Sequence, residues 1–363
     1  MERPESETPE VDFRPHLPPR TDYRIGCVGA GFIMRDVHLE AYARAGFHVA
    51  AIASRTPEHA RAVAAQRGIP RAYDTYQELL ADPAVEIVDI AFPPDRQLEV
   101  VREAAGHADH IRGILAQKPL ARDTAGAREI VGVCARAGIT LAVNQNMRYD
   151  QSIRALKDLL GRGVLGRPVL ATIEMRARPH WQEFLRGYDR LTLLNMSIHH
   201  LDAFRYLFGD PERVYASARV DPSLDFPHAD GISLYILDYA DGLRCASWDD
   251  TYAWTDDRGI RWRVEGTEGT AKGTIGWPDY PDGSPSTIDY VLRSAPDAWH
   301  RPRWEDRWFP DAFVGTMAQL MRAIQEGKEP DIGGGDNLRT MALVDACYRS
   351  AAEHRAVSPA EFL

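Results

Sequence analysis

The sequence predicts two domains: an α/β domain built on a doubly wound parallel sheet, then an α+β domain with an open, mostly antiparallel sheet. A chain of 363 residues is longer than one ordinary core requires. Short apolar runs alternate with Ala-rich helical stretches up to about residue 143, and longer strand-like runs follow after residue 150. This change of pattern predicts the boundary between the two domains.

The first domain is expected over residues 22–145. Its predicted strands are 24–28, 49–53, 87–91, 111–115 and 140–143, and its predicted helices are 57–67, 76–80, 98–106 and 125–137. Strand and helix in repeated alternation indicate parallel strands with right-handed crossovers, which is typical of a Rossmann fold.

The second domain is expected over residues 146–363, as the part that binds substrate and forms oligomers. Its predicted strands are 169–176, 213–220, 232–239, 244–248 and 260–266, and its predicted helices are 152–160, 195–207, 311–325 and 338–352. Asp241-Gly242 between two strands predicts a hairpin. One face of such a sheet is free to meet a partner, so we expect a homodimer or homotetramer.

Residues 1–21 are expected to form a flexible arm, because they carry five prolines and many charges but little to bury. A disordered tail or an artefact of the start site is favoured over a strap across a neighbouring subunit.

Composition limits the possible partners and the compartment. Lys and Arg number 43 against 53 Asp and Glu, which gives a net charge of −10 and no overall attraction to nucleic acid or anionic membranes. The cysteines (Cys27, Cys134, Cys245 and Cys347) form no CxxC pair, and neither a membrane span nor a secretory signal is apparent. We therefore expect a cytoplasmic protein without nucleic-acid or membrane partners.

A G-x-G turn follows the first strand and predicts a dinucleotide site. Gly29 permits a tight turn, and Gly31 allows backbone to approach a pyrophosphate, although Met34 stands where a third glycine or alanine is usual. A tight turn without a ligand is the alternative. The residues expected to contact the dinucleotide are Gly29, Gly31, Phe32, Ile33, Ser54, Arg55, Pro93 and Lys118.

The end of the second strand indicates which dinucleotide binds. An NAD site usually has an acidic residue there, whereas this chain has Ser54 and Arg55, which suit a 2′-phosphate. NADP(H) is therefore favoured and NAD(H) is the second choice. Arg55 as a solvated loop cation is the alternative.

Two further segments carry candidate catalytic groups. Lys118-Pro119 follows the predicted strand 111–115, at the sheet edge that faces ligands in such folds. Asn195, His199 and Asp202 open a helix, where their spacing would place them on one face.

These motifs, together with Arg148-Tyr149 and the Gly163-x-x-Gly166 turn, resemble the glucose–fructose oxidoreductase, inositol dehydrogenase and MocA (Gfo/Idh/MocA) family over residues 23 to about 350. The resemblance implies hydride transfer between nicotinamide C4 and a secondary hydroxyl or ketone of a sugar, glycoside or cyclitol. It implies that His199 exchanges the hydroxyl proton, assisted by the Lys118 cation.

The chain departs from the family pattern at two positions. Asn195 replaces an Asp and Gln117 replaces a Glu, so His199 is expected to be less basic than in the usual pattern. Asn195 can still orient the ring or bind a substrate hydroxyl, and it is included among the catalytic candidates.

Other interpretations of these residues remain open. Lys118 could be a surface lysine, and His199 could be a buried structural histidine. His200 is expected to be structural, because neighbouring helix residues point about 100° apart. Asp202 is expected either to hold His199 or to cap backbone groups. No metal site is expected in this chain.

Substrate contacts are expected from Arg148, Arg178, His180, Trp181, Asn195 and His199. Weaker candidates are Asp230, Trp254 and Trp277, and the segment 299–309 is expected to cover the site or to contact another subunit. Two rival functions remain: a redox-neutral enzyme with tightly bound NAD(P), which would epimerise or cleave a glycoside through a transient keto sugar, and a non-catalytic dinucleotide-sensing regulator.

Overall fold

Two β-sheets organise the chain in the computed structural model, which describes residues 11–177, 183–251, 258–276 and 283–363. The first sheet comprises β1 (Ile25–Val28), β2 (Val49–Ala53), β3 (Arg71–Tyr73), β4 (Ile87–Ile90), β5 (Gly113–Ala116) and β6 (Thr140–Val143). Its order is β3-β2-β1-β4-β5-β6 and its strand pairs are parallel, which confirms the predicted doubly wound sheet. The sequence missed β3, because three half-exposed edge residues carry little apolar signal.

Helices connect these strands and cover both faces of the sheet. They are α1 (Leu39–Ala45), α2 (Pro57–Arg67), α3 (Tyr76–Ala81), α4 (Gln97–Ala105) and α5 (Thr124–Ala137), with a π-helical turn over Ile33–His38 and a 3₁₀ turn over Pro94–Arg96. Local chemistry sets several helix starts. Thr75 and Glu78 form a capping box at α3, and the Asp123 carboxylate accepts the Gly126 N–H at 2.8 Å at the start of α5.

The second sheet has seven strands in the order β13-β12-β11-β7-β10-β9-β8. They are β7 (Pro168–Arg176), β8 (Arg213–Arg219), β9 (Ile232–Asp238), β10 (Arg244–Asp250), β11 (Gly259–Gly266), β12 (Gly269–Ile275) and β13 (Thr287–Leu292). The β7–β10 pair is parallel and the others are antiparallel, as expected for a mostly antiparallel sheet. The Asp241-Gly242 hairpin between β9 and β10 is confirmed. The sequence missed β12 and β13, where glycine and polar residues interrupt the apolar pattern.

The helices of this half are α6 (Gln151–Gly161), α7 (Ile198–Phe208), α8 (Ala312–Glu326) and α9 (Gly334–Glu353). The 3₁₀ turns are Asn146–Tyr149, Glu183–Gly187 and Pro359–Phe362. A π-helical turn over Leu193–Ser197 leads into α7, so the regular helix begins at Ile198 rather than at Asn195.

The two sequence halves are interleaved around the first sheet. Helix α8 packs on β5 and β6, and α9 packs on α5 and β6. A Cβ at Gly113 of β5 would lie 2.6 Å from Ile324 Cδ1 of α8, so the glycine allows this close packing. The Val143 N–H donates to the Ile332 carbonyl at 2.8 Å. The core of the first domain therefore uses residues well beyond position 145.

Residues 11–21 of the expected arm lie against the same chain. The Phe13 ring lies 4.8 Å from Trp304 between centroids, and the Arg154 and Arg322 guanidinium groups donate to arm carbonyls, Arg322 to that of His16 at 2.7 Å. Arg20 pairs with Glu86 at 3.0 Å. Basic side chains thus donate to the carbonyls of this part, which a composition argument does not detect, and the flexibility expected of residues 1–21 stays a prediction.

Within the described ranges, no helix is both long and apolar enough to cross a membrane. All four cysteines are buried and unpaired.

Candidate active site

The loop between β1 and the first helical turn has the geometry that the G-x-G motif predicts. Gly29 has φ of 112°, and a Cβ there would lie 2.8 Å from the Ala91 carbonyl oxygen, so a side chain at this position would be strained. At Gly31 no atom lies within 4 Å of the Cβ position, so the backbone borders open space. A dinucleotide pyrophosphate fits such an approach.

The side chains around this loop also suit a nucleotide. Phe32 is 48% exposed beside the loop, Ile33 is partly buried, and Pro93 is partly buried where β4 gives way to the 3₁₀ turn. Strand β2 ends at Ala53, followed by partly buried Ser54 and exposed Arg55.

Arg55 makes no ion pair with the described part of the chain, so its charge is available to a phosphate. The residues present therefore fit a dinucleotide.

Lys118 joins the two halves of the chain at the carboxyl edge of the first sheet. It follows β5, and its Nζ donates to the backbone oxygen of Asn195 at 2.7 Å. Asn195 is itself buried in the π-helical turn before α7. Burial lowers the pKa of Lys118 to about 7, because the ammonium loses hydration there. Lys118 is therefore able to exchange a proton near neutral pH.

A buried amide that the sequence analysis missed holds the Lys118 loop. Gln97 Nε2 donates to the carbonyl oxygens of Gln117 at 2.8 Å and Pro119 at 2.9 Å, and its Oε1 accepts the Gln117 N–H at 2.8 Å. The Gln117 side chain in turn accepts the Lys118 N–H at 3.0 Å. Because Gln97 contacts backbone atoms twenty residues away, no sequence motif marks it.

His199 lies buried near Lys118, with 4% of its surface exposed. Its Nδ1 has no hydrogen-bond partner among the described residues. Burial lowers the pKa of His199 well below the ordinary value, and the charges of Lys118 and His200 add to this shift. The imidazole is therefore neutral at physiological pH, chiefly because of burial rather than because Asn195 replaces an Asp.

Trp308 packs edge-on against His199, with 5.7 Å between ring centroids. Its indole N–H donates to Asn146 Oδ1 at 2.9 Å, and the ring is 2% exposed. The segment 299–309 is expected either to cover the site or to contact another subunit. Because Trp308 packs on His199 of the same chain, its position supports the first role.

His200 lies away from His199, as expected for neighbouring helix residues. Its Nδ1 is 2.9 Å from Asp249 Oδ1, without the direction of a good hydrogen bond, and both residues are fully buried. Ser197 Oγ also donates to the Asp249 carboxylate. This placement agrees with the structural role expected for His200.

Asp202 pairs with Arg148 rather than with His199 or with backbone groups, the two expected partners. Its carboxylate accepts two hydrogen bonds from Arg148, at 2.6 and 2.7 Å, and one from Thr340 Oγ1 at 2.7 Å. Arg148 also pairs with Asp336 at 2.5 Å and donates to the Asp331 carbonyl at 2.8 Å. Among the described residues, Asp202 thus neither holds His199 nor caps backbone groups.

The prediction that Arg148 contacts substrate remains a prediction. In the structure its guanidinium forms part of a buried ion-pair network between α7 and α9.

Asp230 supports the approach to α7. Its carboxylate accepts the backbone N–H groups of Leu191 at 2.8 Å and Leu193 at 2.6 Å, and burial raises its pKa to about 6.

Five of the predicted substrate contacts lie outside the described residues, namely Arg178, His180, Trp181, Trp254 and Trp277. The structure therefore neither supports nor opposes their predicted roles.

Comparisons with known proteins agree with this arrangement. Residues 23–145 match the GFO_IDH_MocA model, described as an oxidoreductase family with an NAD-binding Rossmann fold, and residues 157–358 match the model of the C-terminal alpha/beta domain of that family. The family assigned from the sequence motifs is therefore confirmed.

Named relatives extend over nearly the whole chain. A D-apiose dehydrogenase of Paraburkholderia graminis is 30% identical over 341 residues, which cover 91% of this chain and 88% of the relative. A D-xylose 1-dehydrogenase (NADP(+)) of Haloferax volcanii is 28% identical over 85% of this chain and 91% of its own. An Agrobacterium radiobacter oxidoreductase, solved with NAD+, L-tartaric acid and magnesium, superposes with a TM-score of 0.81 at 25% identity over 94% of this chain and all of the other.

Proposed function

The chain belongs to the Gfo/Idh/MocA family of oxidoreductases, and on that basis we propose that it is an NAD(P)-dependent dehydrogenase of a sugar, glycoside or cyclitol. The reaction moves a hydride between nicotinamide C4 and a secondary hydroxyl or the matching ketone. The names of the apiose and xylose dehydrogenases support this substrate class.

One observation carries the proposal. The 2.7 Å contact between Lys118 Nζ and the Asn195 carbonyl brings a lysine of the dinucleotide sheet to the start of the helix that bears His199. A proton-exchanging amine and a buried neutral imidazole thus stand near each other at the sheet edge where a dinucleotide binds in this fold.

Bound nicotinamide dinucleotide supplies the hydride acceptor or donor. Gly29 and Gly31 leave room for its pyrophosphate, and Phe32, Ile33 and Pro93 border it. Trp308 and the buried apolar walls exclude water from His199, which strengthens every polar contact made there. Asn195 and His199 orient the substrate hydroxyl.

The basicity of His199 and of Lys118 indicates which of them accepts the substrate hydroxyl proton. The family resemblance gives it to His199, but the pKa of that imidazole is lowered well below its usual range. The pKa of Lys118, about 7, matches the working pH, and a matched pKa favours proton transfer. We therefore propose that the neutral Lys118 amine accepts the hydroxyl proton during oxidation, while His199 holds the hydroxyl in place.

NADP(H) is the cofactor that the end of β2 favours, with NAD(H) second. A hydrogen bond to a charged group contributes roughly 1.5–3 kcal/mol, or about ten- to hundredfold in affinity. Arg55, exposed and without an ion-pair partner in the described ranges, can make such a bond to a 2′-phosphate.

The open sheet face supports the proposed homo-oligomer. Here this name denotes the exposed side chains of Tyr215, Leu234, Ile236 and Trp248 on strands β8 to β10. Ile236 lies opposite Tyr215 and Leu234 lies opposite Trp248, so the four form one apolar patch.

Four unpaired buried cysteines and a net charge of −10 suit a cytoplasmic enzyme without nucleic-acid or membrane partners.

Absorbance at the reduced-nicotinamide band tests the function. The protein is offered NADP⁺ and NAD⁺ with inositols, aldoses (including apiose and xylose) and glycosides, beside Lys118→Ala. We expect reduction of the nicotinamide with at least one of these compounds, and we expect Lys118→Ala to lose this reduction. Silence across the panel with cofactor bound would favour the redox-neutral enzyme or the sensor, and a dinucleotide that co-purifies would separate the first from the second.

A further inference from the structure

The turn after α4 brings two histidines and an aspartate together. One ligand atom from each of His107, Asp109 and His110 lies within 4.8 Å of the others. Asp109 Oδ1 is 3.2 Å from His110 Nδ1. Ligand atoms around a tetrahedral zinc ion, at bond lengths of about 2.0–2.2 Å, stand roughly 3.3–3.6 Å apart. The cluster is therefore close to the size that one ion requires.

The orientation of the His110 ring is set by a neighbouring helix. Its Nε2 lies 3.0 Å from the Leu80 carbonyl oxygen of α3. A carbonyl only accepts, so Nε2 is the donor in this contact, and the ring is oriented with Nδ1 towards Asp109. This carbonyl contact is the one by which metal-binding histidines are usually oriented.

The buried Nδ1 of His110 faces the Asp109 carboxylate. Nδ1 is buried without a well-directed hydrogen bond, and the atom facing it is the Asp109 carboxylate oxygen at 3.2 Å. A ring nitrogen and a carboxylate oxygen at this distance are the pair of atoms that one metal ion can join. A metal ion would satisfy both at once.

The remaining groups complete a cation site. His107 is partly buried, with its ring centroid 5.6 Å from that of His110, and Glu103 Oε1 is 4.0 Å from His107 Nε2. The His110 and Ile111 N–H groups both donate to the His107 carbonyl, which closes the turn. Asp109 is the exposed member, so only its side chain has to move for an ion to enter.

We propose that His107, Asp109 and His110 bind one divalent transition-metal ion, with Zn²⁺ as the fitting choice and Glu103 or water as the fourth ligand. Two imidazole nitrogens and a carboxylate suit zinc rather than magnesium or calcium, which prefer oxygen ligands. The turn lies between the end of α4 and the start of β5, at the amino edge of the sheet. Dinucleotide and substrate belong to the carboxyl edge, so the ion is structural and holds α4, α3 and β5 together.

The test uses the untagged full chain, stripped with a chelator. Zn²⁺ is titrated by calorimetry, and Co²⁺ is titrated while its visible absorption is recorded, because that spectrum reports the ligand geometry. We expect one ion per chain at micromolar concentrations and a rise in melting temperature with Zn²⁺. The dissociation constant should increase at least about tenfold in Asp109→Asn and in His110→Gln.

His59→Gln is the matched control, because His59 is an exposed histidine on α2 outside the cluster. It should bind Zn²⁺ as the unaltered chain does. Asp109 is exposed, so Asp109→Asn keeps the fold even where His110→Gln loses it. Absence of 1:1 binding, or equal affinity in Asp109→Asn and the unaltered chain, would overturn the proposal.

Discussion

Lys118 Nζ lies 2.7 Å from the backbone oxygen of Asn195. This hydrogen bond joins the loop after β5 to the π-helical turn that leads into α7. The lysine acts from a partly buried position, so the contact compensates for only part of the hydration that the amine loses. A residue kept at such an energetic disadvantage is a strong candidate for function.

Replacing Lys118 by Met should abolish most activity while increasing stability in neutral and acidic solution. We expect kcat to fall about 10²- to 10⁴-fold, because a positioned proton acceptor is lost. The folded-state pKa of about 7 lies below the usual 10.5, so the unfolded chain binds more protons between these values. The unfavourable free energy of burying the Lys118 ammonium is therefore complete below pH 7 and disappears above about pH 10.5.

Urea unfolding at pH 6.5 and pH 10.5 checks the second part of this prediction. The Met variant should be more stable by about 1–3 kcal/mol at the lower pH, and the difference should shrink at the higher one. Retained binding of the dinucleotide controls for misfolding. An active Lys118→Met protein would contradict the role in proton transfer.

The pH profile of oxidation should report Lys118 rather than His199. We expect kcat/KM to rise with pH through about 7, as the Lys118 ammonium loses its proton. His199→Asn should lower kcat but keep the midpoint, since the imidazole is already neutral. Loss of the midpoint in that variant would instead assign the proton to His199.

Arg55→Ala should separate the two cofactors. The KM for NADP⁺ is expected to rise about ten- to hundredfold, with the KM for NAD⁺ within a factor of about three, because only the first dinucleotide carries the 2′-phosphate. Arg112→Ala, which removes an exposed arginine at the start of β5 near the opposite sheet edge, serves as the control. An equal effect of Arg55→Ala on both cofactors would remove the argument for NADP(H).

Asp202→Ala should destabilise the protein strongly. It removes one of the two carboxylates that pair with the buried Arg148, and breaking one side of a buried ion pair costs about 3–5 kcal/mol. Arg61→Ala, which breaks exposed pairs with Glu58 and Asp74, should cost about 1 kcal/mol or less. Urea midpoints of the three proteins measure the difference.

The same network tests the predicted contact between Arg148 and substrate. Arg148→Met should lower stability and leave the KM for substrate nearly unchanged in the folded fraction. A large rise in KM with unchanged stability would favour the direct contact.

Charges on the open sheet face should dissociate the oligomer. Leu234→Glu combined with Trp248→Glu places two carboxylates opposite each other on neighbouring strands. Light scattering after size exclusion should show a single subunit for this variant and two or four for the unaltered chain. Leu17→Glu, an exposed apolar residue of the arm, should change nothing. A monomeric unaltered chain would refute the proposed assembly.

The sequence predicted those features that depend on local patterns. Alternating strands and helices revealed the parallel sheet, and the order of Gly29, Gly31, Lys118 and His199 revealed the family. Each of these signals lies within a short stretch of chain or in a fixed spacing between motifs.

Contacts between distant segments escaped sequence reasoning. Gln97 holds the Lys118 loop through backbone atoms, and Trp308 meets His199 from more than a hundred residues away. The partner of Asp202 came from a 3₁₀ turn rather than from its own helix face. The orientation of the His110 ring depends on the Leu80 carbonyl, which is a neighbour only in the folded chain.

The packing of α8 and α9 on the first sheet has a consequence for synthesis on the ribosome. Strands β5 and β6 are complete at residue 143, but the helix that covers them begins at residue 312. At about 5–20 residues per second, roughly ten to thirty seconds pass between the two events. During that interval the apolar side of the nascent sheet has no cover from its own chain, which makes it a natural binding surface for a chaperone.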